Sequence, residues 1–172
     1  DEYNSRGYLS WKRGQGGYEG VSRTLDFGFA DFSTSRALNY LAHKWSDHGD
    51  LSAKATRLAA RAEGAYNNLF DRSHGLMLPK DANKNPSNSW RANEWGNGYT
   101  EGNAWHHSFP AYAVNSQDGG GLSQLYGGKQ RLISKIVEML TTPSSFSPGS
   151  YGQEIHEMVE ARAVAMGCLL YT

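Results

Sequence analysis

"VSRTLDFGFADFSTSRALNYLAHKW", Val21 to Trp45, decides the fold class. Leu25, Phe29, Phe32 and later Leu41 and Trp45 recur there at three- or four-residue steps. That spacing aligns side chains along one face of a helix. A strand would alternate every second residue, and no convincing alternation of that kind runs through the chain. The stretch therefore predicts a long helix with these apolar residues on one face.

Outward from that helix the same period returns. After a break at "SDHGD" (Ser46 to Asp50), the capping candidates Asp50 and Ser52 open a second helix reaching Phe70, with Ala55, Leu58, Ala62, Ala65 or Tyr66, and Leu69 at helical spacing. Asp71 to Gly98 reads as a long polar loop including "DANKNPSNSW". Loops of that length inside a compact domain are usually functional or disordered, and Trp90 and Trp95 within it argue for the former. A third helix is expected from about Thr100, limited by Pro110. "DGGG" (Asp118 to Gly121) reads as a loop. Leu132, Ile136 and Met139 or Leu140 mark a fourth helix, and Ile155, Met158 or Val159, and Met166 a fifth after "SPGSYG". The expected class is all-α, with antiparallel helices and functional loops arranged as an α/α barrel or a bundle.

Composition narrows the function. A chain of 172 residues is about one domain. Its 17 basic residues balance its 17 acidic ones, so no electrostatic footprint for nucleic acid or an anionic membrane appears, and a neutral partner fits better. No run approaches the ~18 apolar residues of a membrane-spanning helix. The opening "DEYNSRGYLS" has neither an initiator Met nor a signal-peptide pattern, so a mature chain or a fragment is expected. The lone Cys168 excludes an internal disulfide and a multi-cysteine zinc site. The candidate glycosylation sequon, Asn85-Pro86-Ser87, carries the forbidden Pro.

The chemistry concentrates in "GNGYTEGNAWHHSFP", Gly96 to Pro110. Aromatic faces cover the C–H side of a sugar while amides and carboxylates take its hydroxyls, so this mixture suits a neutral, hydroxyl-rich ligand. Glu101 follows the N-cap candidate Thr100 and can simply sit in a helix first turn, where the dipole favours a carboxylate. Alternatively it is a general acid, which needs a partly desolvated site walled by groups such as Trp95, Tyr99 and Trp105. His106 and His107 are neighbours that point about 100° apart on a helix, an arrangement unsuited to joint metal ligation. "HEMVE" (His156 to Glu160) has Glu160 where the zinc-protease helix has its second His, so His156 and Glu160 read as an i,i+4 pair. "RGQGGYEG" lacks the Lys-Ser/Thr ending of a phosphate-binding loop and reads as a flexible connector.

Three blocks carry a family resemblance: "VSRTLDFGFADF" (Val21 to Phe32), "GYTEGNAWHHSF" (Gly98 to Phe109) and "GSYGQEIHEMVEARAVAMG" (Gly149 to Gly167). In their order and separation, with "AYNNLFDRSHGLM" and "DGGGLSQLYGG" between them, they resemble glycoside hydrolase family 92, the calcium-dependent exo-acting α-mannosidases. The resemblance runs from about Gly7 to Gly167. It implies that residues 1–172 are part of a six-hairpin α/α-barrel catalytic domain, without the N-terminal β-sandwich and the C-terminal part of the barrel.

By that resemblance Glu101 corresponds to the general acid, and the substrate-binding positions are Asp31, Trp95, Tyr99, Asn103, Trp105, His156 and Glu157. The family inverts configuration, with acid and base carboxyls ~6.5–9.5 Å apart to admit water. Calcium engages mannose hydroxyls as a hard cation with oxygen ligands, and the partner implied is a mannose-containing glycan, with a secreted or extracytoplasmic location. This sequence ends "CLLYT" where family members continue through a calcium-site segment and the aspartate-rich motif that supplies the base. Asp118 matches an earlier family loop and is not assigned as the base. A fragment carrying the acid, with no metal ligands of its own, is therefore expected. The alternative is a non-catalytic carbohydrate-binding or structural helical domain.

Overall fold

The computed structural model describes residues 2–11, 20–45, 49–86 and 120–141. Its elements are α1 (Glu2–Arg6), α2 (Gly20–Lys44), α3 (Gly49–Leu69), a two-stranded hairpin of β1 (Phe70–Asp71) and β2 (Leu76–Met77), α4 (Gly120–Tyr126) and α5 (Lys129–Thr141). The described residues are thus overwhelmingly helical, as the periodicity predicts.

The centre of this architecture is the α2–α3 hairpin. Gly28 lies against Ala62 and Ala65, and Asp31 meets Arg61, so advancing along α2 means retreating along α3, and the helices run antiparallel. A Cβ at Gly28 would stand 2.9 Å from that of Ala65. Only a residue without a side chain lets the two backbones approach this closely.

The face of α2 that packs differs from the one its apolar spacing predicts. Val21, Ser22, Thr24, Gly28, Asp31 and Ser35 are buried, whereas Phe29 is 54% and Trp45 51% exposed. Leu25, Phe32 and Leu41 are half-buried. At ~100° per residue, Val21, Thr24, Gly28, Asp31 and Ser35 fall within roughly 80° of one another, and Phe29 lies about 120° round from the middle of that arc. Close packing on α3 selects small side chains, and small side chains here are mostly polar. Thr24 and Ser35 satisfy their hydroxyls by donating to the carbonyls of Gly20 and Phe32. On α3 expectation and structure coincide: Ala55, Ala62, Ala65, Tyr66 and Leu69 are buried, with Leu58 half-buried.

The region read as one long loop from Asp71 begins with ordered backbone. Phe70 pairs with Met77 and Asp71 with Leu76 across the hairpin. Asp71 Oδ1 accepts from the backbone N–H groups of Ser73 and His74, both at 3.0 Å, closing the turn. Leu76, Met77 and Leu78 then join the core, and Lys80 bridges to Pro86 in an antiparallel pair. "DGGG" is likewise not wholly a loop, because α4 starts at Gly120. Gly127 and Gly128, with φ of 81° and 122°, separate α4 from α5 in a conformation that glycine adopts freely. Tyr126 fastens this pair to the hairpin: its ring packs edge-on against Phe70 at 5.1 Å, and its hydroxyl donates to the Gly75 carbonyl at 2.6 Å. Leu132 of α5 is 2% exposed. The third and fifth expected helices lie outside the described residues.

Candidate functional site

Asp31 is the sequence-predicted site residue that falls among the described residues. It sits midway along α2, 8% exposed, on the side that packs against α3. Arg61 of α3 donates to it through both Nε and Nη2, one to each carboxylate oxygen. Tyr3 of α1 donates its hydroxyl to Oδ2 at 2.8 Å. The third guanidinium nitrogen, Nη1, donates to Asn4 Oδ1 at 2.6 Å, and Arg61 Cζ lies 5.3 Å from the centre of the Tyr3 ring. Tyr3 is itself buried and meets Phe27 edge-on at 5.3 Å.

The electrostatics follow from this geometry. Burial, followed by the hydrogen bond to Asp31 and its negative charge, pushes the Tyr3 phenol well above its ordinary pKa, so the hydroxyl stays a donor. The hydrogen bond to Asp31 raises the Arg61 guanidinium likewise. A planar fork meeting a planar carboxylate fixes angle as well as distance. Among the described residues, Oδ2 accepts two hydrogen bonds and Oδ1 one, so Oδ1 retains a single acceptor position.

A second polar cluster lies where β2 leads into the Asn-rich segment. Lys80 Nζ donates to the carbonyls of Asn68 at 2.7 Å and Phe70 at 3.1 Å, covering acceptors left open at the end of α3. Burial lowers the Lys80 pKa. Residues 6–11 then run alongside: Trp11 N donates to Lys80 O at 2.8 Å, Tyr8 Oη to Asp81 O at 2.6 Å, and Arg6 Nη1 to Ala82 O at 3.4 Å. Asp81 Oδ1 accepts from the N–H groups of Asn83 at 2.7 Å and Asn85 at 2.9 Å, and its Oδ2 from Asn85 Nδ2 at 3.1 Å. These bonds, that from the Asn85 side chain first, lower the Asp81 pKa.

Glu101, Trp95, Tyr99, Asn103, Trp105, His156 and Glu157 lie outside the described residues, as do His106, His107 and Glu160. Tyr3, Tyr8, Arg61 and Lys80 were not singled out in the sequence. Arg61 stands in the Ala-rich "LAARAEG" of α3, 30 positions from its partner, and no local pattern links the two. Among the described residues, no group of three or more His, Cys, Asp or Glu side chains is placed to hold a metal ion, and no helix is long and apolar enough to cross a membrane.

The family model for the glycosyl hydrolase family 92 catalytic domain matches residues 1–166. Among solved structures, the family 92 inverting mannosidase BT2199 from Bacteroides thetaiotaomicron VPI-5482 superposes with a TM-score of 0.65 at 31% identity over 96% of this chain. The family 92 α-mannosidase BT3965 from Bacteroides thetaiotaomicron superposes with a TM-score of 0.63 at 22% identity over 88% of it, a likeness of fold. The chain spans about a fifth of these enzymes' length, covering 20% and 18% of them. No curated protein matches the chain.

Proposed function

The chain belongs to glycosyl hydrolase family 92 as part of its catalytic domain, and we propose that it supplies the general acid of an inverting α-mannosidase. The observation that carries this reading is the family match over residues 1–166, which takes in the "TEGNAW" motif. The proposed substrate is a glycan ending in α-linked mannose, and the proposed setting is extracytoplasmic. In this reading the helical hairpins are one portion of an α/α barrel.

Glu101 holds the proton. As the glycosidic bond breaks, the carboxyl protonates the departing oxygen, while a carboxylate outside this chain activates water on the opposite face of the ring. In this reading Trp95, Tyr99 and Trp105 would wall the acid, and Asn103, His156 and Glu157 would take sugar hydroxyls. For Asp31, the Oδ1 position not used by Arg61 or Tyr3 is the acceptor a hydroxyl would occupy. Calcium, implied by the family, would stabilise hydroxyl oxygens of the mannose ring. The described residues contain no group of three or more His, Cys, Asp or Glu side chains placed to hold it.

The test is leaving-group dependence in the complete enzyme. General acid catalysis contributes ~10²–10⁴-fold, so Glu101→Gln should lose about that much on a mannose disaccharide and far less on an activated aryl mannoside. A residue that merely caps a helix would instead lower the melting temperature and produce equal, small losses on both. In this reading the base belongs to a part of the enzyme other than residues 1–172, so those residues alone should show no mannosidase turnover. Calcium-dependent turnover by the pure chain would overturn that part of the reading.

A further inference from the structure

A stripe of large side chains on α2 is turned away from α3. Leu25, Phe29, Phe32, Arg36 and Tyr40 follow one another at steps of four, three, four and four residues. At ~100° per residue they fall within roughly 80° of one another, about 100° round from the middle of the side that meets α3. Leu25 and Phe32 are half-buried, Phe29 is 54% and Tyr40 65% exposed, and Arg36 is exposed. Among the described residues Arg36 has no hydrogen-bond or ion-pair partner. We propose that this stripe is a second packing seat on α2. Its occupant in the complete enzyme is an amphipathic helix of the same catalytic domain, outside residues 1–172, that brings a carboxylate to Arg36.

The shape of the stripe selects a helix. Steps of three and four residues keep it nearly parallel to the axis of α2, over about 22 Å from Leu25 to Tyr40 at ~1.5 Å per residue. A ridge of that kind interdigitates with the ridges of another helix, and rings as large as Phe29 and Tyr40 enter the holes between the partner's side chains. The two sides of α2 thus use different packing: Gly28 admits the α3 backbone closely, whereas the second side offers projecting rings. The chemistry of the occupant follows from Arg36, which lies between the two exposed rings along the stripe. A helix that covers Phe29 and Tyr40 also takes the guanidinium out of water, and a desolvated guanidinium needs a carboxylate against it. The source of the helix follows from length. Residues 1–172 cover about a fifth of the solved mannosidases they match, so the greater part of such an enzyme is available to supply it. The inference rests on the reading that the hairpins are one portion of an α/α barrel, and it adds which side of α2 the next helix takes and what that helix carries.

Hydroxyl-radical footprinting of the 172-residue chain in dilute solution and of the complete enzyme reads the stripe directly. Phe29 and Tyr40 should label in the chain and lose roughly fivefold or more of that labelling in the complete enzyme, the drop from half-exposed to buried. Phe29→Gln and Arg36→Glu should each lower the melting temperature of the complete enzyme and leave that of the chain nearly unchanged. Arg36→Lys should keep most of the complete enzyme's stability. Labelling as strong in the complete enzyme as in the chain, or an equal fall in melting temperature in both, would overturn the inference. So would protection already present in the chain, which in a monomer assigns the cover to residues 1–172 and in a discrete dimer assigns it to a second copy. A complete enzyme whose circular dichroism shows little helix would overturn the barrel reading and the inference together, whereas a helical enzyme with Phe29 and Tyr40 fully labelled overturns the inference alone. None of these readouts depends on Glu101.

Discussion

Arg61 of α3 closes a two-pronged salt bridge on Asp31 of α2, with the guanidinium side chain 36% exposed and the carboxylate 11%. The pair binds α1 to the helical hairpin, because Tyr3 and Asn4 complete the same network. Removing one partner of a fully buried pair costs ~3–5 kcal/mol, and exposed pairs are worth ~0–1 kcal/mol. The partial exposure of Arg61 places Arg61→Met between these limits, at about 1–3 kcal/mol. Urea unfolding should show that loss. Asp31→Asn combined with Arg61→Met should cost less than the two single changes summed, and simple additivity would show that the pair is not coupled.

Gly28→Ala should destabilise the hairpin although alanine favours helix by ~1 kcal/mol. The new methyl would stand 2.9 Å from Ala65 Cβ, and overpacking of this kind costs ~1–3 kcal/mol. Ala65→Gly in the same chain should recover much of the loss. Thermal melts of the single and double variants check the pair, and a Gly28→Ala protein as stable as its parent would mean that the helices simply move apart.

The hairpin turn gives a pH prediction. Burial works to raise the Asp71 pKa, but hydrogen bonds from Ser73 and His74 outweigh it and leave the group below its ordinary 3.8. A carboxylate depressed on folding contributes stability that is present above the unfolded pKa and lost as pH falls through the folded one. Asp71→Asn should therefore melt below the parent at pH 6, and the difference should close as pH drops below about 3.8. A gap independent of pH would assign the effect to geometry instead of charge.

Phe29 and Tyr40 on one side of α2 are 54% and 65% exposed, and Trp45 just past its end is 51% exposed. The isolated chain should bind hydrophobic dyes and associate as its concentration rises. Phe29→Gln with Tyr40→Gln should weaken both effects, and light scattering with dye fluorescence measures them. A monodisperse parent that binds no dye would count against this expectation.

The sequence determined the helices because helical period is a local property. Leu25, Phe29 and Phe32, then Leu41 and Trp45, and Ala55 to Leu69 recur at steps of three or four residues, and α2, α3 and α5 stand where that spacing placed them. It also carried the family, since motifs such as "TEGNAW" are contiguous in the chain. Tertiary structure decided which side of each helix meets another. On α2 the buried side is small and polar, because Gly28 lets α3 approach so closely that larger side chains are excluded, and a hydrophobicity count points to the wrong side. Structure also decided the partners of Asp31 and the grip of residues 6–11 on residues 80–82. Those contacts join positions 30 and about 70 residues apart. Each depends on where a hydrogen-bond donor arrives in space, and spacing along a chain says nothing about a donor brought by a different element.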